Sequence, residues 1–151
     1  MSGSDHLLEL GAPIWQAQKN HPFVVELADG SLDSDAFAHW IKQDYRYLQD
    51  YARLWALAGT KAREETRMTA LLDVAHTILG TEMELHRSFA ADYGISQDEL
   101  AVTDKAPTCV AYTNFLLRTA YEGSLAEIAA ALYPCRVISA IAEYSGSLFS
   151  G

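Results

Sequence analysis

Between Leu32 and Gly59 the apolar residues return every three or four positions, and Phe37, Ile41, Leu48, Ala52 and Trp55 fall on one stripe at about 100° per residue. A strand cannot present such a period on one face, because its side chains alternate every two residues. The same three-to-four spacing recurs along most of the chain. No sustained alternation occurs, and no Asn-Gly or Asp-Gly pair separates apolar runs as a tight hairpin would require. The fold class that follows is all-α.

Local signals divide the pattern into six helical segments. The first covers Ala12 to Lys19 with Pro13 at its first position, and whether Leu7 to Leu10 joins it is open. Pro22 opens a second, for which Gly30 supplies a left-handed stop. Asp33 or Ser34 caps the third, with Leu32 and Phe37 at staple spacing. A fourth runs from Glu64 to Tyr93 and stops at Gly94. Ser96 and Glu99 form a capping box for a short turn, Pro107 or Thr108 starts a fifth segment ending near Gly123, and Ser124 with Glu127 opens a sixth.

At 151 residues and 50% hydrophobic composition the chain suits one globular domain, 1–151. Such a chain buries roughly 68–70% of its unfolded surface and needs neither disulfide nor metal to hold a core. Eleven Lys and Arg against twenty Asp and Glu give a formal charge of -9, which repels phosphate backbones and anionic lipid heads. Nucleic acid and membrane are thereby poor partners. No apolar run approaches the roughly 18 residues of a membrane span, and no signal-like segment follows Met1, so a cytoplasmic chain with reduced Cys109 and Cys135 is expected.

Several polar residues interrupt the apolar stripes. Asp44 sits in the middle of the third, with Trp40, Tyr47 and Tyr51 on the same side. A carboxylate there must be paired, because a bare buried charge costs several kcal/mol. An acid ringed by aromatics can grip a flat polar heterocycle by stacking while it accepts amino hydrogens; alternatively a core Tyr hydroxyl or an Arg satisfies it. Glu82 and His86 fall inside the stripe of Met68, Leu72, Ala75, Leu79 and Phe89 at i, i+4. They form either a buried Glu-His hydrogen bond or two metal ligands, although the Glu-x-x-His of di-iron bundles is absent. Tyr112 shares a face with Phe115, Leu116 and Thr119, where core packing is its default role. In the sixth segment Ile128, Leu132, Cys135, Ile138 and Ala142 share a face that Pro134 interrupts. A thiol beside such a break is either a nucleophile, if something takes its proton, or a small core residue.

These residues, taken in order, resemble the TenA family of thiaminase II type proteins. The blocks are His21-Pro-Phe23 with Asp29-Gly30, Gln43 to Leu48 with Tyr51-Ala52, Glu82-Met83 with His86, Tyr112-Thr113, and Ala130 to Cys135. The resemblance spans His21 to Cys135. It implies a haem-oxygenase-like helical bundle assembled as a homotetramer, without metal or organic cofactor. The implied reaction is hydrolysis of 4-amino-5-aminomethyl-2-methylpyrimidine to the hydroxymethyl pyrimidine and ammonia, a thiamin salvage step. Carried onto this chain, Cys135 attacks the pyrimidine and Tyr47 raises its nucleophilicity. Asp44 holds the ring nitrogen and amino group, Tyr112 lines the pocket, and Tyr51 joins the substrate-binding set.

Two departures accompany the resemblance. Ser139 stands four residues past Cys135, where the family usually carries a Tyr that serves as a pocket wall. The family also continues through further helices, one bearing a Glu that serves as proton donor, so the C-terminal helices are expected to be missing here and apolar surface to be left exposed. General acid catalysis is worth roughly 10²–10⁴-fold. The competing readings are therefore a non-catalytic pyrimidine-binding module on the same fold, or a metal-dependent oxidase using Glu82 and His86.

Overall fold

The computed structural model describes residues 3–134 and contains only helices among them. In chain order they are α1 (Gly3–Lys19), α2 (Pro22–Asp29), α3 (Ser34–Lys61), α4 (Glu65–Thr77), a π turn (Ile78–Glu82), α5 (Met83–Asp92), α6 (Gln97–Val102), α7 (Pro107–Glu122) and α8 over 125–134. The all-α expectation is met. Cys135 and the run that follows it, including Ile138, Ser139, Ala142 and the chain end from Ser145, lie outside the described residues. No helix among those described is long and apolar enough to cross a membrane.

The chain divides into two compact units, Met1–Phe37 and Ala38–Gly151. In the first, α1 runs through Pro13 instead of starting there. Pro13 lies ten residues in, where it removes one backbone donor. His21 Nδ1 accepts from the Phe23 N–H at 3.2 Å, Pro22 takes the first helical position of α2, and Gly30 ends it at φ 79. The Asp33 carboxylate accepts from the N–H groups of Asp35 and Ala36, which caps α3 as its sequence demands.

The second unit is organised around α3. Ile41, Tyr45, Leu48, Ala52, Leu54 and Ala58 are buried along it. Leu54 and Ala58 join Leu116 and Ala120 of α7 and Ile128 and Leu132 of α8 in the central cluster, so three helices share one core. At the N-terminus of α8, Ser124 and Glu127 cap each other: the Ser124 N–H donates to Glu127 Oε2 at 2.7 Å, and Ser124 Oγ accepts from the Glu127 N–H. Ser96 Oγ caps α6 by accepting from the Glu99 N–H.

One long helix from Glu64 to Tyr93 is not what forms. The Met83 N–H bonds to the carbonyl of Ile78, a five-residue step that defines the π turn. The wider turn holds one residue more than an α turn, so everything after it is displaced by one position around the axis. Leu71, Ala75 and Ile78 point inward before the turn, and Met83, His86, Arg87 and Ala90 after it. An unbroken helix would have continued inward through Glu82 and Phe89. Instead Glu82 is exposed, as are Met68, Leu72, Leu79 (53%) and Phe89 (41%). Of the apolar stripe read from the sequence only Ala75 is buried; Phe89 is displaced by the turn, whereas Met68 and Leu72 precede it and sit at the margin of the inward face. In α7, a regular helix, Leu116 is buried as expected together with Thr113 and Ala120, while Phe115 is exposed.

Candidate active site

Trp40, Asp44, Tyr47, Tyr51 and Trp55 follow one another along α3 at steps of three and four, so regular helix geometry stacks them in a row. Asp44 occupies the acidic position of that row, with its side chain 25% exposed. It is paired with a histidine. His86 of α5, 42 residues away, places Nε2 2.6 Å from Asp44 Oδ2. The other ring nitrogen, Nδ1, lies 2.9 Å from the Glu82 carbonyl oxygen in the π turn. The expected Glu82-His86 side-chain bond is thus corrected: Glu82 contributes its backbone, and its carboxylate points to solvent. The π turn is the physical reason for the exposed carboxylate, because it moves Glu82 out of the inward face.

The pairing perturbs His86. Burial pushes its pKa down, but the Asp44 hydrogen bond, the Glu82 carbonyl and the negative charges of both residues outweigh burial and raise it above the usual 6.5. Trp40 lies against the imidazole with ring centroids 6.2 Å apart.

The tyrosines continue the row. Tyr47 and Tyr51 are stacked at 5.4 Å, Tyr47 and Tyr112 of α7 are stacked at 6.0 Å, and Tyr51 meets Trp55 edge to face at 6.0 Å. The structure thereby assembles four of the five site residues read from the sequence: Asp44, Tyr47, Tyr51 and Tyr112. The fifth, Cys135, lies just past the last described residue of α8. Cys109 is half-buried, its Sγ 3.8 Å from the Gln43 carbonyl. Burial pushes its thiol pKa up, which works against forming the thiolate.

A second polar cluster went unnoticed in the sequence. Asp50, whose side chain is 8% exposed, pairs with Lys105 and with Arg53 at 2.6 Å, and Lys105 also reaches Thr113. Beside it Gln43 binds the α6–α7 connection at two points, donating to the Asp104 carbonyl at 3.0 Å and accepting from the Ala106 N–H at 2.7 Å. Arg46 donates to the Ala101 carbonyl and Lys42 pairs with Glu99. One edge of α3 is therefore a clamp that fixes the start of α7, and with it Tyr112, against the aromatic row. The general Gln43-to-Leu48 block was visible in the sequence. Its partners, 55 or more residues away, were not.

Among the described residues no group of three or more His, Cys, Asp or Glu side chains is placed to hold a metal ion. Glu82 and His86 in particular do not converge: one side chain faces water and the other faces Asp44.

Comparison with known proteins gives a consistent picture. The TENA/THI-4/PQQC family matches residues 11–149. The chain is 44% identical over 135 residues to an aminopyrimidine aminohydrolase of Halalkalibacterium halodurans, covering 89% of this chain and 60% of that protein. It is 34% identical over 137 residues to the aminopyrimidine aminohydrolase of Helicobacter pylori, covering 89% and 62%. A solved TenA homologue from P. horikoshii superposes with a TM-score of 0.89 at 31% identity, over 95% of this chain and 67% of that one. The chain thus spans about three fifths of the length of these curated relatives.

Proposed function

The chain belongs to the TENA/THI-4/PQQC family, and from that premise we propose that it acts as a Cys-dependent aminopyrimidine aminohydrolase of the thiaminase II type. The observation that carries the reading is the Asp44 carboxylate, held by His86 at 2.6 Å beside the stacked rings of Tyr47, Tyr51 and Tyr112. A carboxylate next to aromatic faces suits a flat heterocycle that bears an amino group, since the acid accepts N–H donors while the rings cover the π face. Relatives named aminopyrimidine aminohydrolase, at 34–44% identity, support the same substrate class.

In this reading Asp44 fixes the amino group and ring nitrogen of 4-amino-5-aminomethyl-2-methylpyrimidine, with Tyr51 and Tyr112 along its ring. Tyr47 raises the nucleophilicity of Cys135. The Cys135 sulfur adds to an electron-poor ring carbon, and the exocyclic amine leaves with a proton as ammonia. Water then adds at the methylene and the sulfur departs, so one water is consumed and one ammonia formed. The protein works in the cytoplasm as a homotetramer, without cofactor.

Ammonia release from the aminomethyl pyrimidine tests the proposal. Turnover by the wild type that is abolished in Cys135→Ser is the expected result. Unchanged turnover in that variant overturns the nucleophile. Tight pyrimidine binding by the wild type without any ammonia release replaces the enzyme with a pyrimidine-binding module.

A further inference from the structure

We propose that the corner where α3 gives way to α4, facing the start of α8, binds the phosphate group of a small anion through Lys61, Arg63 and Arg67. The site is separate from the aromatic row and does not depend on the aminopyrimidine reading.

The sequence concentrates positive charge there. The chain carries 11 Lys and Arg against 20 Asp and Glu, yet three of those cations fall between positions 61 and 67. In so acidic a chain, a local cationic excess draws anions to one place. The fold brings the three together: Lys61 ends α3, Arg63 lies in the connection, and Arg67 stands in the first turn of α4. With Glu64, Ser124 and Leu125 they line an open cleft of about 460 Å³. Small organic ligands occupy clefts of roughly 300–1,000 Å³.

Little within the protein uses these charges. Arg63 makes no hydrogen bond or ion pair among the described residues. Arg67 approaches Glu64 only to 3.8 Å, with the two side chains 60% and 72% exposed, and such a pair contributes almost nothing. Lys61 gives one N–H to the Tyr121 carbonyl at 3.0 Å, and an ammonium has further donors. Glu127, beside Gly123, also acts on Lys61, but its Oε2 already accepts from the N–H and hydroxyl of Ser124 at 2.7 and 2.8 Å. Positive charge is left over in the cleft.

Backbone polarity acts in the same direction. Glu64 precedes α4 in an extended conformation, φ -95 and ψ 132, without a side-chain cap, so the first N–H groups of α4 lack a side-chain acceptor from that residue. A cation in a first turn opposes the helix dipole, and Arg67 occupies such a position, with Glu65 offsetting part of the cost. An anion between Arg63 and Arg67 removes the conflict. Two guanidinium groups suit phosphate better than chloride, because each presents a planar fork of N–H donors that matches a pair of oxygens. A tetrahedral group has oxygens for both forks and for the Lys61 ammonium.

Calorimetry and amide NMR on the intact protein test this, with inorganic phosphate and phenyl phosphate as probes and ionic strength held constant with chloride. Saturable binding is expected, with amide shifts centred on residues 61–67. The double variant Arg63→Gln/Arg67→Gln replaces two exposed side chains and is expected to weaken binding about tenfold or more, since charge-assisted contacts are lost. Arg118→Gln removes an exposed cation that pairs with Glu122 outside the cleft, and is expected to leave affinity unchanged. Tighter binding of the phenyl ester on the same amides upholds the site and assigns it to an organic phosphate; equal affinities uphold it for the free ion. Absence of saturable binding by either probe, equal weakening in the double variant and Arg118→Gln, or shifts that avoid residues 61–67 overturns the proposal.

Discussion

Tyr47 of α3 and Tyr112 of α7 lie with their ring planes 11° apart and their centroids 6.0 Å apart, so two helices contribute one continuous aromatic surface. The alignment depends on where α7 begins, and that start is held by Gln43 through both the Asp104 carbonyl and the Ala106 N–H. The clamp and the aromatic row use neighbouring positions of α3, so the row and its support are built on one element.

Tyr112→Leu removes the ring contact and leaves apolar volume in place. Aromatic pairs are worth about 0.5–1.5 kcal/mol beyond the area they bury. If Tyr112 serves the pyrimidine ring, KM rises about two- to tenfold with a smaller change in kcat. Tyr112→Phe is expected to stay nearer the wild type. Steady-state kinetics of ammonia release distinguish these variants, and equal KM values for all three would remove Tyr112 from the substrate-binding set.

Gly80 sits in the π turn, and beyond the backbone of its own helix no heavy atom lies within 4 Å of where a Cβ would stand. Its φ is not positive, so an alanine meets neither strain nor a clash there. Gly80→Ala is expected to raise stability by about 0.5–1 kcal/mol, chiefly by restricting the unfolded chain. Deleting Gly80 removes the extra residue of the wide turn, and a regular helix from Ile78 would still bring Met83, His86 and Ala90 inward. The deletion variant is therefore expected to fold and to keep the Asp44–His86 pair, but to lose the five-residue hydrogen bond. Urea denaturation and the His86 NMR signal check both variants. A destabilised Gly80→Ala would show that the turn needs glycine for its width.

Much of this architecture was legible because its signals are local. Asp33, Ser96 and the Ser124–Glu127 pair cap the helices where their residue types promise, and Gly30 and Gly94 adopt positive φ at helix ends. Asp44 stood out as an acid on an apolar stripe, and Tyr47 and Tyr51 followed from helical spacing. What escaped notice was set by contacts across the fold. A π turn leaves no mark in composition, so Glu82 and Phe89 were assigned to a face they do not share. Asp50 lies off the stripe, and its partner Lys105 is 55 residues away in a connection that carries no periodicity. Spacing shows that a polar residue needs a partner, but not that the partner of Asp44 would be His86.

The Asp50 cluster gives a pH dependence whose sign is fixed by its charges. Burial raises the Asp50 pKa, but hydrogen bonds from Lys105 and Arg53, the charge of Lys105 and a further bond from Thr113 outweigh it and hold the carboxyl below the usual 3.8. A carboxyl depressed on folding stabilises the native state above its unfolded pKa, and that contribution is lost as pH falls through the folded value. The wild type is therefore expected to lose this part of its stability only on the acid side of 3.8. Asp50→Asn removes it at neutral pH, leaving Lys105 partly buried without its counter-charge. Breaking a buried pair from one side costs about 3–5 kcal/mol, and the residual exposure of Lys105 places this one near the lower figure. Because Lys105 precedes α7 by two residues, the same variant is expected to loosen the start of α7 and raise KM without touching the ligand. Urea unfolding of wild type and Asp50→Asn at neutral and acid pH checks the sign: the two curves converge as pH falls. A constant gap at every pH would show that Asp50 acts through packing and not through its charge.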